Sequence, residues 1–401
     1  MVKKTHVTAT DMRGYGRLAI DATLGLTSLV ETMHHNILRV PGVLGESTQK
    51  PAGGITGFVY KSIRGVTRLV GGGIDVVLGR LGALLGGSGS SQEREAVLAA
   101  LNGVLGDHLQ DRANPLAIPM RMRRDGKSLD LTRKALQAAI PDATGRILLL
   151  VHGLCMNDLE WRRKGHDHGA ALAADAGFTP VYLHYNTGLH VSSNGREFAT
   201  QIEKLLHAWP LPVEELVILA HSMGGLVARS ACHHGAHVGH HWLRHLRKIV
   251  FLGTPHLGAP LERGGNWIDV ILGASPYTTA FARLGKIRSA GITDLRHGSL
   301  VDEDWQRQDR FARPPRQPAS VPLPRNVACY AIAASIAKKT GEPAKALLGD
   351  GLVPLASALG QHADARKRLA FPKTRQWVGH GMNHMDLLDR KSVYARIKRW
   401  L

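Results

Sequence analysis

The sequence predicts an α/β fold with a mostly parallel central sheet and helices on both faces. The first observation is the fully apolar run at residues 147–151, which is typical of a central parallel strand. The second is the apolar, β-branched run at 216–219, which predicts another buried strand. The third is the abrupt change after that run, where Ser222 and two glycines separate the strand from a helical pattern.

Composition limits the class of protein. A chain of 401 residues is long enough for one large core. Its apolar content of 44% is ordinary for a globular protein and does not predict a disordered chain. The net charge of +19 favours anionic surfaces, but aromatic residues amount to only 5% and no nucleic-acid module is recognisable, so no nucleic-acid partner is expected. Three widely spaced cysteines form no disulfide framework and no zinc pattern, so we expect neither a metal nor a cofactor.

The N-terminal region, residues 1–115, is predicted to be a helical accessory region. Helical patterns cover 10–38, 55–86 and 92–110, and the second contains three consecutive glycines and frequent charges, which make it a poor transmembrane span. No secretory signal follows Met1, so we expect a cytoplasmic location. Two interpretations stay open: an amphipathic element that contacts a membrane peripherally or covers the mouth of a functional site, or a layer packed on the core.

The α/β domain is predicted to span residues 116–401. Residues 116–131 indicate short strands with a turn at Asp125 and Gly126, and residues 180–185 indicate a further strand. A helix from Gly195 to Trp209 follows, with Ser192 or Ser193 as its cap and Pro210 at its end. The histidine-rich segment 233–241 is predicted to be a solvent-exposed loop, because two glycines and the lack of a carboxylate make a defined metal site improbable.

Ser222 stands at the apex of a strand, a sharp turn and a helix. Small residues at Ala220 and Gly224 let the two backbones pass close together, and the turn lifts the hydroxyl clear of the sheet. The string Ala-His-Ser-Met-Gly at 220–224 resembles the nucleophile elbow of α/β-hydrolase-fold lipases and esterases, with Ala220 in place of the usual first glycine. One bacterial lipase family has the same form.

The resemblance implies an α/β-hydrolase fold and an oxyanion hole. By position, the backbone N–H groups would come from Met223 and from Leu154, in the loop after the strand 147–151. His152 in that loop is predicted to be structural. The string Gly-Thr-Pro-His-Leu-Gly at 253–258 is similar to that of many lipases and of enzymes related to the GPI inositol deacylases. An insertion at 259–320 stands where such enzymes place a cap or lid, either mobile or rigid.

Two further residues complete the resemblance. After a strand at 327–334, the string Asp-Gly-Leu-Val-Pro is similar to the lipase acid loop, which makes Asp350 the candidate carboxylate, although Asp-Gly is also an ordinary turn. His384, just before the last helix, matches the family's catalytic histidine, and His380 is its competitor. The order Ser222, Asp350, His384 is that of the α/β-hydrolase triad.

These residues predict a carboxylic ester hydrolase that acts through an acyl-serine intermediate on an ester or lipid-like small molecule. Imidazole suits the task of removing the serine proton at neutral pH, and the carboxylate fixes its tautomer. Two alternatives stay open. A lipid acyltransferase or amidase would use the same triad, and a hydrolase-like protein without activity would bind lipid through its N-terminal region.

Overall fold

The computed structural model describes residues 91–259, 289–306, 319–338 and 349–401. The predicted helices at 10–38 and 55–86 lie outside these ranges, as does most of the predicted cap or lid at 259–320. Among the described residues, none of the helices combines the length and the apolar character that crossing a bilayer requires.

The centre of the structure is an eight-stranded, mostly parallel sheet. Its strands are β1 Arg121–Arg124, β2 Lys127–Ser128, β3 Arg146–Val151, β4 Thr179–His184, β5 Glu215–His221, β6 Leu246–Leu252, β7 Ala328–Ser335 and β8 Gln376–His380. Their order across the sheet is β2-β1-β4-β3-β5-β6-β7-β8. Strands β3 to β8 pair in parallel, while β1 is antiparallel to both β2 and β4.

The order of the strands reverses beside β3. Strand β4 pairs with one edge of β3, and the chain then crosses back to place β5 on the other edge. In open α/β sheets, such a switch point leaves a crevice at the carboxyl ends of the strands, where ligands bind. The loops that follow β3 and β5 therefore meet at this crevice.

Helices cover both faces of the sheet. They are α1 Ser91–Asp111, α2 Arg133–Ala139, α3 His168–Ala176, α4 Val191–Ala208, α5 Met223–Val238, α6 Ala290–His297, α7 Leu355–Ala358 and α8 Lys391–Trp400. On β3, Leu149 belongs to a core cluster with residues of α1, α4 and α5, while Leu148 belongs to a second cluster with residues of α3 and α8. Both faces of β3 are thus buried, which explains its unbroken apolar sequence. The predicted fold class is confirmed.

Helix α1 packs on the α/β domain. The helix predicted at 92–110 is observed, and its residues Leu101 and Leu109 are fully buried in the larger core cluster. Gly103 and Gly106 permit close contact, because a Cβ at these positions would lie 2.2 Å from the Cys155 Sγ and 1.8 Å from the Asn186 Oδ1. For this helix the packed layer is the better interpretation, while the domain boundary at 115 stays a prediction.

The predicted serine cap of α4 is wrong. The helix begins at Val191, so Ser192 and Ser193 lie inside its first turn, and the N-cap residue His190 makes no side-chain capping bond. The Asp294 Oδ2 instead accepts from the Val191 N–H at 2.8 Å and lies 3.0 Å from the His190 Nδ1. A carboxylate distant in sequence therefore replaces the local cap.

The predicted loop at 233–241 is also wrong in its conformation. Helix α5 continues through this segment to Val238 and ends at Gly239, whose φ of 77° is the left-handed conformation that glycine favours. Gly235 lies inside this helix and packs against the Trp242 indole, where a Cβ would lie 3.1 Å from the ring. His233 and His237 are exposed, as expected. The described part of the chain contains no cluster of three or more side chains able to hold a metal.

Candidate active site

Ser222 is the single residue between β5 and α5. Its φ of 54° and ψ of −125° lie in a region that L-residues rarely adopt and that is associated with strain at functional sites. Its N–H donates to the Leu252 carbonyl at 2.8 Å, and its carbonyl accepts from the Gly225 N–H at 3.0 Å. The strand, turn and helix predicted around Ser222 are confirmed, and they place the serine at the carboxyl end of the parallel sheet.

Two glycines allow α5 to approach the end of the sheet. A Cβ on Gly224 would lie 2.4 Å from the Val151 carbonyl oxygen, and one on Gly225 would lie 2.0 Å from the Thr254 Oγ1. A Cβ on Gly224 would meet fixed backbone, and one on Gly225 would meet the Thr254 side chain, so neither fits without movement. The prediction that position 224 needs a residue without a side chain is therefore confirmed.

His384 and Asp350 form a buried pair. The His384 Nδ1 lies 2.7 Å from the Asp350 Oδ2, and the two side chains are 3% and 1% exposed. The other carboxylate oxygen accepts from the backbone N–H groups of Leu352 at 2.9 Å and Val353 at 2.8 Å. Because the carboxylate accepts from Nδ1, this arrangement leaves Nε2 of His384 as the nitrogen that can accept a proton.

Ser222 and His384 share one small cavity. Its volume is about 20 Å³, and its lining also includes Gly153, Leu154, Met156, His221, Leu352 and Met385. Asp350 contacts the Nδ1 of His384 and does not itself line the cavity. His380, the competitor, is exposed at the end of β8 and does not line this cavity. The structure thus brings His384, rather than His380, together with Ser222.

The loop after β3 forms the wall beside Ser222. A Cβ on Gly153 would lie 3.0 Å from the Ser222 Cβ, which shows how closely the loop approaches the serine. The Met156 N–H donates to the Gly153 carbonyl at 3.3 Å, and the Cys155 N–H donates to the Thr187 hydroxyl at 3.1 Å. These bonds hold Leu154, the predicted oxyanion donor, at the cavity wall.

His152 in this loop lies in a structural environment. It is fully buried, stacks on the Tyr185 ring at 4.5 Å, and has its Nδ1 3.0 Å from the Gly153 carbonyl oxygen. Burial lowers the pKa of His152 to about 3, so the imidazole stays neutral at physiological pH. This environment agrees with the structural role predicted for His152.

His221 is a site residue that the sequence interpretation did not single out. Its ring centroid lies 4.7 Å from that of His384, and its Nε2 is 3.4 Å from the His384 carbonyl oxygen. Burial, together with the nearby His384, lowers the pKa of His221 well below its usual value. Its position at the last residue of β5, directly before Ser222, is the signal that could have identified it.

A comparison with known protein families gives a match over the part of the chain that contains Ser222. Residues 142–322 match the model of the PGAP1-like alpha/beta domain family, which covers β3, β5, Ser222 and Leu154. No curated protein matches the chain.

Several solved structures are similar in overall shape. Bacillus licheniformis lipase BlEst2 in its mature form aligns with a TM-score of 0.41 and 15% identity, over 70% of this chain and 97% of that one. Aspergillus fumigatus lipase B aligns with a TM-score of 0.38 and 11% identity, over 62% of this chain and 51% of the lipase. Phospholipase PlaB from Legionella pneumophila aligns with a TM-score of 0.33 and 15% identity, over 53% and 45%. Similarity at this level carries no argument about chemistry, which depends on the geometry of the site.

Proposed function

We propose that the chain hydrolyses carboxylic esters through an acyl-serine intermediate, and the match of residues 142–322 to the PGAP1-like alpha/beta domain family supports this proposal. The observation that carries the proposal is the buried pair of His384 and Asp350, whose Nδ1 and Oδ2 lie 2.7 Å apart. His384 also lines the same cavity as Ser222. The substrate is an ester or lipid-like small molecule, and the mechanism requires no cofactor.

In the proposed first step, Ser222 attacks the ester carbonyl. The His384 Nε2 removes the hydroxyl proton as the Oγ–carbon bond forms, and the imidazolium then gives that proton to the leaving alcohol as its bond to the carbonyl carbon breaks. Asp350 holds the imidazole in the required tautomer and stabilises the imidazolium. In the second step, His384 deprotonates a water molecule that attacks the acyl-serine, and the proton returns to Ser222.

The tetrahedral intermediates of both steps carry a negative oxygen. We assign its stabilisation to the backbone N–H groups of Leu154 and Met223, and each such donor contributes roughly 3 kcal/mol to lowering the barrier. Met223 is the first residue of α5, so its N–H points out of a helix N-terminus, where the helix dipole favours negative charge. Leu154 lines the cavity that contains Ser222, the residue directly before Met223.

The size of the cavity supports a specific placement of the substrate. A cavity of about 20 Å³ has room for a water-sized group beside Ser222. The remaining lining is mostly apolar, with Leu154, Met156, Leu352 and Met385, which suits the hydrocarbon portions next to an ester bond. Longer acyl or alcohol portions of the substrate must extend beyond this cavity.

The test is the turnover of p-nitrophenyl esters from acetate to palmitate, with and without detergent, by wild-type protein and by Ser222→Ala. We expect the substitution to lower kcat by about 10⁴-fold or more, because the nucleophile is lost. Ser392→Ala, which changes an exposed serine on α8, is the matched control and should behave like wild type. Retained turnover in Ser222→Ala would contradict the assignment of the nucleophile.

The same assay separates hydrolysis from acyl transfer. Addition of an alcohol acceptor should leave the free carboxylic acid as the main product. A new ester as the main product would identify an acyltransferase that uses the same serine, and turnover of the matching anilides would identify an amidase.

A further inference from the structure

A second cavity, of about 110 Å³, shares no lining residue with the cavity beside Ser222. Its polar lining consists of cationic groups, imidazoles and one hydroxyl, from Arg229, His256, His297, Ser320, His362 and Lys367. No Asp or Glu lines it among the residues that the structure describes. A space of this size holds more than one water-sized group. Its lining is therefore rich in hydrogen-bond donors and lacks an anion.

Arg229 is the most unusual member of this lining. It lies on α5 and is 3% exposed, yet within the described ranges no carboxylate pairs with it. One Nη donates to the Val321 carbonyl, the other lies 3.4 Å from the His256 Nδ1, and Nε has no partner in the described part of the chain. A buried charge without a counterion is costly, which calls for a partner in the cavity.

His256 provides a second buried donor beside Arg229. It is 4% exposed and is packed between the Phe251 and Phe371 rings, at 4.8 Å and 5.3 Å. Because an arginine can only donate, the Nδ1 that faces Arg229 accepts, and the hydrogen of the neutral imidazole lies on Nε2. Burial and the nearby Arg229 lower the pKa of His256 well below its usual value, which keeps the ring neutral. This Nε2 has no partner among the described residues.

A second, partly buried arginine, Arg123, shows how the fold pairs this kind of side chain elsewhere. Arg123 on β1 has an Nη1 that lies 2.7 Å from an Asp158 oxygen and 3.0 Å from a Glu95 oxygen. The nearby carboxylates raise the pKa of Arg123 despite its burial. At Arg229, burial lowers the pKa to about 10, and no carboxylate in the described part of the chain acts in the opposite direction. Among the residues that the structure describes, Arg229 thus has no counterpart of the carboxylates that pair with Arg123.

We propose that this cavity binds phosphate, held by Arg229, His256 and Lys367. Side chains from separate elements line the space, and the four oxygens of a tetrahedral anion can accept from more donors than the two oxygens of a carboxylate. The phosphate comes either from solution or from a lipid headgroup. The site is independent of the chemistry at Ser222.

The test titrates the full-length protein with inorganic phosphate, against chloride at matched ionic strength, by calorimetry and by thermal unfolding. We expect saturable binding at one site and a Tm that rises with phosphate concentration, because the anion binds only the folded state. Lys367→Met at the cavity lining should weaken binding about tenfold or more, since it removes a charge-assisted hydrogen bond. Arg229→Met should abolish it, while Arg399→Met, which removes an exposed arginine on α8, should leave it unchanged.

A further arm identifies the source of the phosphate. Dihexanoyl phosphatidic acid that binds at least tenfold more tightly than inorganic phosphate, with the same loss in Lys367→Met, indicates a lipid headgroup; equal affinities indicate free phosphate. The proposal is overturned if the wild type binds neither probe above chloride, or if Lys367→Met binds like wild type. Should Arg229→Met fail to fold, Lys367→Met decides the question, because it changes a side chain that is only partly buried.

Discussion

Two neighbouring imidazoles, those of His384 and His221, differ in one partner. Their ring centroids are 4.7 Å apart, and both residues are almost fully buried. His384 faces the Asp350 carboxylate at 2.7 Å, whereas the His221 Nε2 faces only a backbone carbonyl oxygen at 3.4 Å. Burial lowers the pKa of His221 so that it stays neutral, which makes it unsuitable as a proton carrier. A single carboxylate therefore distinguishes the proposed base from a residue of the same type beside it.

Removal of the paired imidazole should have the largest effect. His384→Ala is expected to lower kcat on p-nitrophenyl esters by about 10⁴-fold or more, because no other group can remove the Ser222 proton. His380→Ala, at the exposed end of β8, serves as the control and should retain wild-type kcat. The reverse result, with His380 essential and His384 dispensable, would refute the proposed triad.

Removal of the negative charge of Asp350, the partner of His384, should cause the next largest loss of kcat. Asp350→Asn is expected to lower kcat by about 10³- to 10⁴-fold, because the amide favours the wrong tautomer of His384. The amide oxygen can still accept from Leu352 and Val353, so the unfolding midpoint in urea should change little. Asp364→Asn, at a partly exposed carboxylate paired with Arg366, is the control. An Asp350→Asn enzyme with wild-type kcat would remove the carboxylate from the mechanism.

His221, which faces a backbone carbonyl and not a carboxylate, should affect stability more than catalysis. As pH falls from 7 to 5, the unfolded chain protonates His221 near its ordinary pKa while the folded chain does not, so protonation favours unfolding. Each such histidine contributes a loss of up to about 1.4 kcal/mol per pH unit. The free energy of unfolding of His221→Gln, measured in urea, should therefore decline less steeply with acidification than that of wild type. Equal slopes in the two proteins would show that His221 is protonated in the folded state.

The sequence predicts the local parts of this site and not their long-range supports. Apolar runs identify β3 and β5, because a strand buried on both faces has an unbroken apolar sequence. The small residues around Ser222 are also recognisable, because the close approach that requires them lies within one turn of the chain. The strand β8 was not predicted, because only Gly379 of its five residues is fully buried. Neither was the cap of α4, which comes from Asp294, 103 residues from Val191.

The same limit applies to the pair at the centre of the site. Motif resemblance suggests Asp350 and His384, but the 2.7 Å contact between them depends on how two loops at the end of the sheet fold together. Arg229 lies in an ordinary helical pattern, and only the packing shows that its described neighbours include no paired carboxylate. The sequence pattern therefore does not determine which side chains pair across the fold.

The contact between α1 and the loop after β3 limits how far the chain can be shortened from its N-terminus. Gly103 presses against Cys155, and the Asn186 side chain donates to the Gly106 carbonyl at 2.9 Å. A protein trimmed at residue 115 would therefore expose the rear of the loop that carries Leu154 to water. Any truncation intended to isolate the enzyme core has to begin upstream of α1.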